Sequence, residues 1–209
     1  MYYYGDVMCK CIEDAVKSFI TNAGSRLKCA NGNWNVGNVD GFIIRKNVIY
    51  NNDYKYVEYT KWEENKPTCI AIGFNPATAN VNEIDETNNK IIEQLKNRYG
   101  AYVLLNLYPQ VSKDKKHWQD SNGEDDNYEP ILYKIIDYII NSKEHVLIFW
   151  GRSVAISEKL NSKLKRLIEQ NRLFITVKKG TEDHYHPARV SIEIKQAGKN
   201  TLTPSYMIK

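Results

Sequence analysis

No stretch of the 209-residue chain approaches the ~20 consecutive apolar residues that a bilayer-spanning helix requires. A helical membrane protein is therefore not expected. The opening Met1-Tyr2-Tyr3-Tyr4-Gly5-Asp6 lacks the basic start and apolar middle of a secretion signal, so a cytoplasmic location is expected. Cysteine is sparse: Cys9, Cys11, Cys29 and Cys69. A C-x-C pair followed by two long gaps matches no metal-ligand spacing. Cys69 sits in an apolar run and Cys11 on the apolar face of a helical pattern. Both positions suit reduced, structural thiols, and no metal or other cofactor is expected. The excess of one sign of charge is also small. A net +4 with a pI near 8.7 permits a polyanionic partner without requiring one. Internal repeats and low-complexity linkers are absent.

What is present is a regular alternation. Residues 6–22 carry apolar side chains at three- and four-residue steps after Asp6, the pattern of a capped amphipathic helix. Residues 24–48 are rich in Gly and Asn, with short strands such as Gly41-Phe42-Ile43-Ile44, and residues 48–60 read as a strand or hairpin. From residue 68 strands and helices alternate. Strands are expected at 68–73, 101–107, 145–150 and 172–177. Helices are expected at 84–98, with Asp85 as cap, and at 128–141 and 153–170. This alternation argues for a parallel sheet with helices on both faces. Residues 1–47 are expected as an N-terminal elaboration of a domain spanning 48–209.

The chemistry concentrates at the carboxyl ends of the four strands. The first ends in Gly73-Phe74-Asn75-Pro76-Ala77, and proline stops the ladder there. The second ends in Asn106-Leu107-Tyr108-Pro109 and the third in Trp150-Gly151-Arg152-Ser153. The fourth leads through Lys178 and Lys179 to His184-Tyr185-His186-Pro187-Ala188-Arg189-Val190-Ser191. Taken singly, an Asn after a strand is an ordinary turn residue, a strand-end Trp an ordinary core residue, and a His-Pro pair an ordinary loop feature. In a parallel sheet, however, these ends share the edge where ligands bind.

The series G-x-N-P, L-L-N, hydrophobic-W-G and H-P-x-x-[LV]-S, in that order, resembles the uracil-DNA glycosylase superfamily over residues 68 to about 192. Within it the chain is most similar to an uncharacterised family with an L-N-P-S-T-A-D hallmark. The matching residues are Phe74-Asn75-Pro76-Ala77-Thr78-Ala79-Asn80, Asn106-Leu107-Tyr108, Phe149-Trp150-Gly151 and His186-Pro187. The resemblance implies a three-layer α/β/α fold with a central, mostly parallel four-stranded sheet, plus the N-terminal helix and short strands. It also implies a monomer that hydrolyses the N-glycosidic bond of a base flipped out of double-stranded DNA. Asn75 takes the place of the water-positioning residue. His186 takes that of the donor to the departing base, with His184 as a rival. Asn106 falls where the pyrimidine edge is read, and Phe74, Ala77 and Trp150 fall in the base pocket. Val190, or Arg189 beside it, falls at the wedge that fills the vacated stack, with Ser191 following. Arg152, Lys178 and Lys179 are candidates for phosphate contacts.

Ala77 bears on specificity. Uracil-specific members place a Tyr there, closing the pocket against a substituent at C5. Alanine removes that wall, so a 5-substituted pyrimidine is the expected base. A phage hypermodified or glucosylated pyrimidine would make the enzyme an antiviral defence. The competing readings are a housekeeping uracil or mismatch glycosylase, a catalytically silent DNA- or nucleotide-binding module, and an enzyme acting on free nucleosides.

Overall fold

A computed structural model describes residues 28–39, 42–50, 55–76, 84–111, 128–141, 144–151, 156–187, 190–198 and 201. The run Thr68–Gly73 forms strand β4, buried at all six positions. Helices pack on both faces of the sheet here, so both sets of its alternating side chains are apolar. β5 (Ala101–Asn106) pairs parallel with it on one side and β6 (Val146–Ile148) on the other, and β7 (Leu173–Lys178) is parallel to β6. These four parallel strands are the expected ones. The sheet is nevertheless mixed and eight-stranded, in the order β1-β2-β3-β5-β4-β6-β7-β8, which corrects the expectation of a mostly parallel four-stranded sheet. β3 (Lys55–Lys61) closes one flank antiparallel to β5, and β8 (Ile192–Gln196) closes the other antiparallel to β7. Beyond β3, β2 (Phe42–Tyr50) and β1 (Lys28–Val39) extend the same sheet as long antiparallel strands instead of short ones. β2 runs through residues 47 and 48, where the sequence reading placed a domain boundary. The helix expected at 6–22 lies outside the described residues.

Helices cover both faces. α1 (Glu86–Leu95) is capped by the Asp85 side chain, which accepts from the Asn88 N–H. It buries Ile91, Ile92 and Leu95 against Cys69, Ala71, Tyr102, Leu104, Leu147 and Phe149. α2 (Tyr128–Asn141) and α3 (Glu158–Glu169) cover the opposite face, where Ile70, Ile72, Val103, Leu105, Ile148 and Val177 meet Leu132, Ile136, Ile139, Leu160 and Leu164. α3 starts later than expected because Ser157 caps it, accepting from the Leu160 N–H. Each fully buried Ile or Leu contributes about 1.5–3 kcal/mol. No helix among the described residues is long and apolar enough to cross a membrane.

The amino edge of the parallel strands is closed by polar staples. The Arg172 guanidinium donates to the carbonyls of Ile139, Ile140 and Glu144, tying the end of α2 to the start of β7. The Tyr99 hydroxyl lies 2.6 Å from His145 Nδ1, just before β6. Burial pushes the Cys69 thiol and the Tyr99 phenol up to about 12. Burial, followed by the charges of Arg98 and Arg172, holds His145 below the ordinary histidine value. The unfolded chain therefore binds the His145 proton more readily than the folded one does. This stabilisation is fully present above the ordinary histidine pKa of about 6.5, and is lost as pH falls from there through the depressed folded value. His145→Gln keeps an acceptor for Tyr99 and does not titrate. Its urea midpoint should fall less than that of the wild type between about pH 7.5 and about pH 5.5. Parallel declines would show that His145 does not set the acid slope.

Candidate functional site at the carboxyl edge

The chain enters the parallel sheet at β4, goes outward to β5, then crosses to β6 on β4's other side. α1 follows β4 on one face, while α3 follows β6 on the other. The crossovers leaving these adjacent strands diverge, the arrangement in which open α/β sheets form a crevice at the carboxyl ends of their strands. Gly73 ends β4 at this crevice, in register with Asn106 of β5. A Cβ placed on Gly73 would lie 2.7 Å from Asn106 Oδ1 and 2.9 Å from the Phe149 ring. The missing side chain is thus the space in which a buried amide and a buried aromatic ring meet.

His186 reaches the same place from beyond β7. Its ring centroid is 6.1 Å from that of Phe149, and its Cβ and N are 3.3 Å from where a Gly151 Cβ would stand. Gly151 has φ +87°, a conformation that glycine adopts without strain. The approach of His186 is set by an antiparallel turn-back. Tyr185 N–H donates to the Thr176 carbonyl at 3.1 Å, and Thr176 Oγ1 donates to the Tyr185 carbonyl at 2.7 Å. His184 is buried in a bridge with Val177, whose side chain belongs to the layer under α2 and α3. Of the two histidines, His186 is the half-buried one beside Gly151 and Phe149. Asn75 follows on the turn after β4, half-buried, with Nδ2 donating to the Pro76 carbonyl at 3.2 Å. That bond orients the amide plane.

The structure separates some residues that the sequence grouped. Trp150 is a core residue of the layer under α2 and α3, and Phe74 packs against that layer in edge contact with Tyr108. Phe149, one residue before the tryptophan of the motif, is the aromatic beside Asn106. The reason is register: Ile72 pairs with Ile148, so Phe149 comes level with Gly73 and shares its face. Lys178 and Lys179 are exposed, and Lys179 N–H donates to the Ser191 carbonyl, which sets the lysine turn beside Ser191 and Val190. Ala77, Arg152 and Arg189 lie outside the described residues.

One further buried pair lies on the α1 side. Glu58 on β3 stands opposite Leu104, two residues back from Asn106 along the same face, and accepts from Asn88 Nδ2 at 2.9 Å. Burial, then the Glu58 charge, drives the neighbouring Tyr102 phenol well above its usual range. The alternation of residues 55–61 signals a strand but not this carboxylate's partner on a helix.

The edge therefore carries a buried carboxamide, an aromatic wall, an imidazole and a turn-held amide. These groups suit a planar heterocycle with hydrogen-bonding edges. Among the described residues, no group of three or more His, Cys, Asp or Glu side chains is placed to hold a metal ion. No curated protein and no solved structure matched the chain. A family model described as protein of unknown function (DUF1643) matches residues 55–188, from the first residue of β3 to just past His186-Pro187. That match spans more than half of the chain and includes every strand end of the site, so the chain belongs to the DUF1643 family.

Proposed function

We propose that this protein is a monofunctional DNA glycosylase that releases a flipped-out, 5-substituted pyrimidine and leaves an abasic site. The observation that carries the reading is the meeting of Asn106, Phe149 and His186 around Gly73 and Gly151. The motif order resembling the uracil-DNA glycosylase superfamily supports it. In this reading the buried Phe149 ring backs Asn106 and His186. Asn106 offers both donor and acceptor to its Watson–Crick edge. The C1′–N bond breaks with its electron pair moving to the base nitrogen, and the imidazole N–H of His186 stabilises that charge. Asn75 Oδ1 accepts a hydrogen bond from the water that adds to C1′. An amide does not take up a proton, so bond breaking runs ahead of water attack and the proton passes to solvent or to the departed base. The exposed Lys178-Lys179 turn meets phosphates, and the Arg189-Val190 segment fills the stack. Antiviral defence against hypermodified phage DNA is the biological role that this specificity fits.

The deciding experiment incubates the protein with duplexes carrying uracil, a thymine mismatch, 5-hydroxymethylcytosine or its glucosylated form, followed by alkaline cleavage at abasic sites. Strand breaks confined to the modified duplexes are expected. Equal or faster release of plain uracil would instead establish a housekeeping glycosylase. Salt-sensitive binding with no breaks would establish a binding module. Ala77 gives a second, independent prediction. Ala77→Tyr should reduce release of the bulky base by at least about tenfold while leaving release of uracil within about twofold, since a ring fills the space that a C5 substituent needs. An unchanged ratio between the two bases would remove Ala77 from specificity.

A further inference from the structure

His186 sits between two anchors. The Thr176–Tyr185 pair of hydrogen bonds holds its amino-terminal side. On its carboxyl-terminal side stands Pro187, which has no N–H and whose carbonyl is its sole backbone hydrogen-bonding group. That carbonyl accepts from Lys90 Nζ of α1 at 3.1 Å, across nearly a hundred residues of chain. The same ammonium pairs with Glu86, one helical turn earlier, at 2.8 Å. Lys90 is about a quarter exposed, so its ammonium is directed along the protein surface to this carbonyl instead of into bulk water. α1 also buries its apolar face against Phe149, the ring beside His186. One helix therefore supports the aromatic wall and holds the loop that presents the imidazole.

We propose that Lys90 is a positioning residue that sets where the His186 imidazole stands relative to Asn106 and Phe149. The inference rests on the glycosylase reading only for what His186 does once it is placed. A charge-assisted bond to a carbonyl is stronger than a neutral one. Its loss would let the His186-Pro187 turn lift from α1 while the Thr176–Tyr185 pair still holds the other side. Displacements of about 1 Å at a reacting group cost up to about 10²-fold in rate.

The test compares Lys90→Met, Lys90→Arg and Glu86→Gln. The first keeps the alkyl stem without the donor, the second keeps a cationic donor, and the third removes the ion pair while leaving the bond to Pro187. Three quantities are measured: His186 ring resonances by NMR, thermal midpoint, and base release under steady-state and single-turnover conditions. Lys90→Met is expected to shift and broaden the His186 resonances and to lower kcat by about 10-fold or more with KM within about twofold, at an almost unchanged midpoint. Lys90→Arg should restore both readouts, and Glu86→Gln should match the wild type. Unmoved His186 resonances in Lys90→Met would overturn the proposal. So would a Glu86→Gln variant that reproduces the Lys90→Met effect. If the wild type releases no base from any duplex, the glycosylase reading fails, while the NMR comparison still decides the role of Lys90.

Discussion

His186→Ala is expected to slow base release by about 10²–10³-fold, the usual loss when one donor to developing negative charge is removed. Duplex binding should stay within a few-fold. The ring is half-buried beside Gly151 and Phe149, so its truncation removes a donor at the crevice and leaves the two core layers intact. Asn75→Ala is expected to cost about 10²-fold for a separate reason. In the glycosylase reading it removes the acceptor for the attacking water, together with the Nδ2 bond to the Pro76 carbonyl. Single-turnover rates on the modified duplex, with binding measured alongside, check both variants. A fully active His186→Ala protein would mean that the departing base draws its stabilisation from another group. His184→Ala is the matched control. Its ring is buried opposite Val177, so the loss should appear in thermal stability before it appears in the rate of the folded protein.

Gly73→Ala is the second large effect. Its new methyl would stand 2.7 Å from Asn106 Oδ1 and 2.9 Å from two carbons of the Phe149 ring. Neither neighbour has open space to move into, because Asn106 is 4% exposed and Phe149 3%. Overpacking of this kind costs about 1–3 kcal/mol. In a chain of this size that corresponds to roughly 2–4 °C of thermal midpoint per kcal/mol. The functional loss should exceed the stability loss, since overpacking shifts the backbone that places Asn106 and Phe149. Calorimetry paired with a base-release assay separates the two. A variant with wild-type midpoint and wild-type rate would show that Gly73 is a turn residue and nothing more.

Much of the fold can be read along the chain. Thr68–Gly73 stands where its apolar run placed it, and the Asp85 cap is formed as the helix signal required. The α3 stripe of Leu160, Leu164, Leu167 and Ile168 follows the helical period. These are local properties, in which propensity, capping and periodicity act over a few residues. β8 is not legible in the sequence, although Ile192-Glu193-Ile194 alternates. A short strand beside a polar loop becomes a strand only when β7 offers it an edge. The length of β1 and β2 is hidden for a related reason, since Gly and Asn weaken the strand signal locally, and the pairing of β1 with β2 and of β2 with β3 restores it.

The order of motifs, the four parallel strands and the placing of Asn75 and Asn106 at strand ends belong to the sequence itself, because hydrophobic period and turn chemistry are written residue by residue. Which aromatic faces Asn106, which histidine stands in the crevice and which lysine holds it were decided only in three dimensions. Strand side chains alternate, so a shift of one residue in pairing exchanges Phe149 and Trp150 between faces. That register depends on Ile72 meeting Ile148 across the sheet, a contact between segments far apart in the chain. The bond from Lys90 to Pro187 arises in the same way, from the packing of α1 over the end of β6.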